Sequence, residues 1–249
     1  MVFLALGFIL PILTFGEDNV EALFTKGNIL YSKAQYKDAL KAYQQILDEG
    51  YQSAAVYFNM GNASYKSDDI SSALLYYEKA HKLAPGDDDI NSNIRFANLK
   101  TTDKIDEAPE FFLVNWWRVF ILSLSISALS MLSILLFLFG SGVLIVYFFT
   151  NSVSIKKASF YSAVILFFLG IIAIFTCNRQ ISYFDNHHQA IIFSSAITIK
   201  SAPGDKAASL FVLHEGTKVN ILDNSSGWMK IRLANGNEGW IKNVDVRKI

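Results

Sequence analysis

The chain has 249 residues, with 22 basic and 22 acidic side chains that leave no formal net charge. This length allows about two domains. Because the sequence contains no dense run of lysine or arginine, nucleic acid is not expected as a partner. A single cysteine excludes an internal disulfide framework and a multi-cysteine metal site.

An apolar run opens the chain and ends in Thr14, Phe15 and Gly16, a small-x-small pattern directly before acidic residues. This arrangement predicts a secretory signal peptide over residues 1–16, although the usual basic start is missing. The alternative is a short anchor that is not cleaved. In both cases the residues that follow are delivered across a membrane.

Two segments within residues 17–100 repeat at a period of 34 residues, the period of tetratricopeptide repeats. They read LFTKGNILYSKAQYKDALKAYQQIL and YFNMGNASYKSDDISSALLYYEKAH. In this pattern the small residues mark the contact between two antiparallel helices, and the tyrosine fills the groove beside them. The matching positions are Gly27, Ala39 and Tyr43 in the first copy and Gly61, Ala73 and Tyr77 in the second.

A capping helix is predicted after Pro85, which ends the second pair of helices. Acidic residues suited to a helix N-terminus precede an apolar stripe formed by Ile90, Ile94 and Ala97. Two repeats and a cap fall short of the roughly three repeats that a solenoid needs. We therefore expect this domain to be marginal alone and to be completed by a partner, a second copy or the membrane surface.

The first helix of each repeat is expected to line the inner groove of the solenoid. Aromatic and amide side chains recur on this face, where they could hold an extended peptide by hydrogen bonds to its backbone. The alternative is that they serve helix packing alone. The candidate partner-binding residues are Phe24, Asn28, Tyr31, Phe58, Asn59, Asn62 and Tyr65.

Residues 101–118 form a linker that ends in aromatic side chains typical of a membrane interface. Two apolar segments follow, 119–149 and 159–178, each long enough to cross about 30 Å of hydrocarbon. The first is too long for one span and too short for two, so we expect it to begin as an interfacial helix or to tilt. Neither segment contains an acidic, basic or histidine side chain. We therefore expect an anchor rather than a transporter, whose pathway would carry such groups.

The turn between the apolar segments, residues 150–158, contains Lys156 and Lys157. Lysines flanking a span indicate the cytoplasmic side. The hairpin then places the two flanking domains on the opposite side. The predicted location is a bacterial inner membrane, with the N- and C-terminal domains in the periplasm.

Residues 190–249 alternate apolar and polar positions between Asn and Gly turns, which predicts a small antiparallel barrel. The segments EGTKVNIL, GWMKIRL and NEGWI resemble those of bacterial SH3 domains. Trp228 and Trp240 form a possible ligand face, because indole rings could stack on a peptide or a glycan. The alternative is that they close the barrel core.

Catalytic motifs are missing from the sequence, which has no nucleophile motif and no phosphate-binding loop. The adjacent His187 and His188 lack the further ligands that a metal site needs. Neither an enzyme nor a cofactor nor a metal is predicted. The expected fold class is multidomain: an all-α tetratricopeptide repeat domain, a two-helix transmembrane hairpin and a small all-β SH3-like barrel.

The order of these parts resembles the BatE proteins of the Bacteroides aerotolerance (Bat) operon, as does the segment DDINSNIRFAN…DKID…PEFF…WW. The resemblance implies a non-enzymatic membrane protein linked to oxidative-stress tolerance. It also implies an envelope complex with von Willebrand A-type Bat proteins and a MoxR-type AAA ATPase. Two hypotheses follow: a scaffold whose repeats hold a protein, and an envelope tether or sensor whose SH3-like module binds peptidoglycan or peptide.

Overall fold

The computed structural model describes residues 15–106 and 108–249. The predicted signal peptide lies outside these residues, except for its last two positions. The described chain forms a helical repeat domain, a pair of long apolar helices and an antiparallel β-sheet domain. This architecture confirms the predicted fold class.

Five helices of the described chain form the repeat domain, as two antiparallel pairs and a capping helix. Side-chain oxygens of Ser53, Asp69 and Asp87 accept hydrogen bonds from first-turn amides of the third, fourth and fifth helices. These bonds satisfy N–H groups that the start of a helix leaves unpaired. The helices are α1 (Phe15–Ser32), α2 (Tyr36–Asp48), α3 (Ala54–Lys66), α4 (Ile70–Leu83) and α5 (Asp88–Lys100).

The repeated glycines and tyrosines lie where the two helices of each pair cross. A Cβ atom added at Gly27 would overlap the ring of Tyr43, and one at Gly61 would overlap the ring of Tyr77. Tyr43 and Tyr77 are only 1% and 2% exposed. Glycine is therefore required for each ring to fill its groove, as the repeat pattern predicts.

Three apolar helices follow: α6 (Phe112–Ile121), α7 (Ile126–Phe149) and α8 (Val153–Asn186). Both α7 and α8 are long and apolar enough to cross a membrane, which indicates membrane insertion. At about 1.5 Å per residue, α8 is longer than the hydrocarbon layer is thick.

The apolar run 119–149 is divided between the short helix α6 and the long helix α7, as expected if a run too long for one span begins with a separate helix. The division falls at Ser125, whose hydroxyl oxygen accepts a hydrogen bond from the backbone amide of Ala128 and starts a new helix. The predicted turn 150–158 is shorter, because α8 begins at Val153 and continues past the predicted end at residue 178.

Reciprocal contacts between glycine and phenylalanine hold α7 against α8. A Cβ atom at Gly140 would lie 2.9 Å from Phe167 Cε1, and one at Gly170 would lie 2.8 Å from Phe137 Cε2. The centroids of the two rings are 5.6 Å apart. Small residues thus let the two backbones approach closely, which is the main source of packing energy between helices in lipid.

We expect Gly140→Ala to weaken the hairpin by about 1–2 kcal/mol, because the added methyl group overpacks a well-filled contact. Gly142→Ala is the matched control, since a Cβ atom there meets no atom within 4 Å. The measurement is the thermal stability of the full chain in detergent, with hydrogen exchange in α8 as a local readout. Equal effects of the two substitutions would contradict the packing described above.

The C-terminal domain is an antiparallel sheet with the strand order β3-β2-β6-β5-β4-β1-β7. Every strand contributes apolar side chains to one core, so the sheet curls around it as a small barrel. The strands are β1 (Gln189–Ile192), β2 (Ala196–Lys200), β3 (Ser209–His214), β4 (Lys218–Ser225), β5 (Trp228–Arg232), β6 (Glu238–Lys242) and β7 (Val246–Lys248).

The barrel packs directly on α4 of the repeat domain. Ile191 of β1 is fully buried in one apolar cluster with Leu74 and Tyr77 of α4. An ion pair joins Lys218 Nζ of β4 to Glu78 Oε1 of α4 at 2.7 Å. The barrel of the same chain therefore packs on α4, an intramolecular contact that the expectation of a partner, a second copy or the membrane surface did not include.

The linker after α5 joins the same interface through Asp103. Its Oδ2 atom accepts hydrogen bonds from Thr217 Oγ1 at 2.6 Å and from the backbone amide of His214 at 2.7 Å. His214 Nδ1 lies 2.8 Å from the other carboxylate oxygen. One side chain thus ties the linker to the β3–β4 turn of the barrel.

The repeat domain also contacts one end of the hairpin. A Cβ atom at Gly86 would overlap the carbonyl oxygen of Ser123, which lies between α6 and α7. The rings of His81 in α4 and Phe184 near the end of α8 are 6.5 Å apart, edge to face. The repeats and the barrel therefore lie at the same end of the hairpin.

Candidate partner-binding surfaces

The predicted inner-face residues come from two neighbouring helices, α1 and α3. The structure brings the two sets together, because Asn59 Nδ2 of α3 donates a hydrogen bond to Asn28 Oδ1 of α1 at 3.0 Å. The aromatic members remain partly exposed beside these amides. We call this surface the inner face; it consists of Phe24, Asn28, Tyr31, Phe58, Asn59, Asn62 and Tyr65.

A ladder of tyrosine and asparagine supports the inner face from beneath. Asn28 Oδ1 also accepts a hydrogen bond from Tyr43 OH at 2.7 Å. One repeat later, Asn62 Oδ1 accepts from Tyr77 OH at 2.7 Å and from Asn93 Nδ2 at 3.5 Å. The carbonyl oxygens of both inner-face asparagines are therefore used in holding helices together.

The amide nitrogens of Asn28 and Asn62 make no hydrogen bond to other described residues. As donors, they suit carbonyl or carboxylate oxygens of a bound chain. The oxygen atoms of these side chains therefore serve helix packing, and the nitrogen atoms make no such contact among the described residues.

Aromatic contacts repeat with the same geometry in the two copies. The ring centroids of Phe24 and Tyr43 are 6.0 Å apart, and those of Phe58 and Tyr77 are 5.9 Å apart. Burial raises the pKa of Tyr43 to about 12 and raises the pKa of Tyr77 as well. Both phenols therefore remain protonated donors at neutral pH.

Because of the raised pKa of Tyr43, the free energy of unfolding depends on pH in the alkaline range. Since Tyr43 ionises at about pH 10 when unfolded and about 12 when folded, the folded chain loses stability between these two values. We expect Tyr43→Phe to remove this part of the pH dependence and to cost about 1 kcal/mol at neutral pH. Urea unfolding at several alkaline pH values measures both effects; an unchanged pH dependence in the variant would contradict the assignment.

The inner face continues onto α5, for which the sequence pattern predicts only a capping helix. Phe96 and Leu99 of α5 are 57% and 72% exposed, and they follow Asn62 and Tyr65 by one period of 34 residues. Asn93 follows Asn59 by the same period. Extending the repeat alignment beyond Pro85 would have identified all three residues.

Lys100 of α5 partly covers the ring of Tyr65. Lys100 Nζ lies 4.4 Å from the centroid of the Tyr65 ring and 3.2 Å from Asp68 Oδ1. This cation lies at the edge of the inner face and stabilises the ring position.

The two barrel tryptophans lie outside the core, on the outer side of neighbouring strands. Trp228 of β5 pairs with Lys242 of β6, and Lys230 of β5 pairs with Trp240 of β6. The Lys242 ammonium is 5.5 Å from the ring centroid of Trp228. Both rings are partly exposed, so they share one outer face on which aromatic and basic side chains alternate.

The residues described by the structure contain no group of three or more His, Cys, Asp or Glu side chains that could hold a metal ion. His187 stacks on Tyr183 with ring centroids 4.3 Å apart. Its Nδ1 atom lies 2.7 Å from the Tyr183 carbonyl oxygen. Its contacts are thus with the end of α8.

Two family models match parts of the chain: the tetratricopeptide repeat over residues 54–87 and the bacterial SH3 domain over residues 195–247. No curated protein matches it. The C-terminal SH3 domain of myosin IB from Entamoeba histolytica is similar, with 31% identity, a TM-score of 0.19, and coverage of 26% of this chain and 95% of that one.

An NlpC/P60 family protein from Bacillus cereus ATCC 10987 is also similar, with 18% identity and a TM-score of 0.22 over 29% of this chain. The match spans 23% of that protein. The chain combines a tetratricopeptide repeat with a bacterial SH3 domain, two classes of interaction module that are typically non-catalytic.

Proposed function

We propose that this protein is a membrane-anchored interaction scaffold whose inner face binds a protein partner on the periplasmic side of a bacterial inner membrane. The observation that carries the proposal is the inner face itself. Partly exposed aromatic side chains and amide donors line it, a buried tyrosine–asparagine ladder supports it, and the barrel packs on α4 without covering Phe96 or Leu99, which continue the inner face onto α5.

The topology is supported by the positions of charged and docked groups. Lys156 and Lys157 lie at the end of the hairpin where α7 meets α8, and lysines favour the cytoplasmic side. The repeats and the barrel contact the other end, at Ser123 and Phe184. Both interaction modules then face the periplasm.

The resemblance to BatE proteins supplies the proposed partners, von Willebrand A-type Bat proteins acting with a MoxR-type ATPase in an oxidative-stress envelope complex. The test is a titration of the full chain in nanodiscs with a purified von Willebrand A-type Bat protein. We expect Phe96→Ala to weaken binding about tenfold, since exposed aromatic anchors dominate such interfaces. Equal affinities for wild type and variant would contradict binding through the inner face.

Tyr51→Ala is the matched control for this titration. Tyr51 is 43% exposed in the loop between α2 and α3 and is not an inner-face residue, so its removal deletes a similar exposed ring. We expect the affinity to be unchanged. If both variants bind equally weakly, the loss is not specific to the inner face.

The outer face of the barrel favours a second candidate function, an envelope tether or sensor that binds peptidoglycan or peptide. The observation that supports this function is that Trp228 and Trp240 lie outside the core, next to lysines. Sedimentation of the full chain in detergent with cell-wall sacculi tests this function. Co-sedimentation that is lost in a Trp228→Ala/Trp240→Ala variant supports it, and a chain that stays in the supernatant excludes it.

A further inference from the structure

Within residues 15–106 and 108–249, no helix packs against the side of α1 that faces away from α2. A shallow depression of about 490 Å³ lies on it. Ile29 at its floor is 49% exposed. We call this surface the α1 end face; its residues are Glu21, Ala22, Thr25, Lys26, Ile29 and Leu30.

The repeat period shows that Ala22, Lys26 and Ile29 stand at positions built for a helix–helix contact, whereas Glu21 corresponds to the exposed Ala55 and Asp89. One period later, the residues that correspond to Ala22, Lys26 and Ile29 are 4%, 1% and 0% exposed, because they pack on the preceding pair of helices. Two periods later the corresponding positions are again buried or partly buried. The corresponding residues are Val56, Met60 and Ala63 in α3 and Ile90, Ile94 and Ala97 in α5.

Among the described residues, Thr25 lacks the hydrogen bond that the corresponding residues of the later repeats make. At the corresponding positions, Asn59 and Asn93 each donate to an asparagine of the preceding repeat. Thr25 makes no such bond among the described residues. The α1 end face is therefore a repeat–repeat interface for which the described chain supplies no second side.

The charges on this face indicate what covers it. Lys26 stands where α3 has the buried Met60, so a covering helix that buries its ammonium is stabilised by an acidic side chain opposite it. Glu21 lies on the same face, and neither Glu21 nor Lys26 forms an ion pair with another described residue. One face thus carries both members of a complementary pair.

A second copy satisfies both charges at once. α1 runs from Phe15 to Ser32, so a two-fold axis through its midpoint would place Glu21 opposite Lys26 of the other copy. The same axis places Ala22 opposite Thr25, and these small side chains allow close approach at the centre. Every contact is then made twice, as two-fold symmetry requires.

We propose that the α1 end face is a homodimer interface, in which two copies of this chain pair through antiparallel α1 helices. The interface is separate from the inner face, so it does not depend on which partner the scaffold binds. It completes the solenoid by joining two half-solenoids end to end, which supplies the missing neighbour of α1.

The test is the dimer dissociation constant of the full chain in detergent, measured by sedimentation equilibrium. We expect the wild type to form a dimer. Either Glu21→Lys or Lys26→Glu should raise its dissociation constant about tenfold or more, because each change creates two like-charge contacts across the interface. The double variant Glu21→Lys/Lys26→Glu should restore the dimer. Lys37→Glu, an exposed change on α2, is the control and should leave dimerisation unchanged.

A monomeric wild type would overturn the proposal, and so would a dimer that both single reversals leave intact, because such a dimer forms elsewhere. Disulfide formation gives an independent measurement in a Cys177→Ser background. Mixed Ala22→Cys and Thr25→Cys chains should link between copies. A link within one chain, from Thr25→Cys to a cysteine placed in residues 1–14, would instead show that the N-terminal segment covers the face.

Discussion

Replacing Gly61 with valine is expected to unfold the second repeat. The ring of Tyr77 lies directly over Gly61 and is only 2% exposed, so neighbouring side chains prevent it from moving aside. Overpacking of this kind costs about 3 kcal/mol, a large fraction of the 5–15 kcal/mol that stabilises a typical domain. Circular dichroism of the full chain in detergent should show a partial loss of helix at temperatures where the wild type remains folded.

Ser64→Ala is the control for the glycine substitution, because Ser64 lies three residues further along the same helix and is also fully buried. Its hydroxyl has no hydrogen-bond partner among the described residues. Removing an unsatisfied buried hydroxyl should leave stability unchanged or raise it by about 1 kcal/mol. If Gly61→Val melts like Ser64→Ala, then the crossing of α3 and α4 is not as tight as the structure indicates.

The double variant Glu78→Gln/Asp103→Asn is expected to release the barrel from the repeats. Asp103 accepts hydrogen bonds from Thr217 and His214, and Glu78 in α4 is only 4% exposed beside Lys218. Since bonds to charged groups contribute about 1.5–3 kcal/mol and Lys218 is half exposed, we expect a combined loss of about 3 kcal/mol. Apolar burial around Ile191 then remains as the main contact.

Distance distributions between spin labels on α2 and on the β5–β6 turn measure this release. The wild type should give one narrow distribution, and the double variant a broad one. Asp68→Asn is the control, because Asp68 forms an exposed pair with Lys100 and such pairs contribute little. A narrow distribution in the double variant would show that apolar contacts alone fix the barrel.

The same contact should respond to acid. Partial burial acts to raise the pKa of Asp103, but the hydrogen bonds from Thr217 and His214 together outweigh burial and hold this pKa below its usual range. A lowered folded-state pKa means that docking is fully stabilised above the unfolded value and is lost as pH falls through the folded value. The spin-label distances should therefore broaden only below about pH 4, and Asp103→Asn should abolish this transition.

Local periodicity predicted the repeat domain well. The spacing of Gly27, Tyr43, Gly61 and Tyr77 reflects contacts between adjacent helices, so it is visible in one sequence. The same period of 34 residues also predicts that Asn93 and Phe96 continue the inner face onto α5. The sequence of a repeat indicates its contacts with the adjacent repeat, because each unit packs only against the next one.

The docking of the three parts could not be predicted in the same way. Asp103 contacts His214 across 111 residues of sequence, and Glu78 contacts Lys218 across 140. Single charged residues at such separations have no periodic pattern to mark them. The length of the apolar run 119–149 predicts an interfacial helix or a tilt, but the exact position of the break between α6 and α7 depends on Ser125, one serine among several in that run.

Site-specific photocrosslinking in native membranes tests the scaffold proposal most directly. A photoreactive residue at Tyr65 on the inner face should link to a von Willebrand A-type Bat protein, whereas one at Gln44, exposed on α2, should not. Phe96→Ala should reduce the Tyr65 link. Equal links from Tyr65 and Gln44, or a Tyr65 link that survives Phe96→Ala unchanged, would contradict partner binding through the inner face.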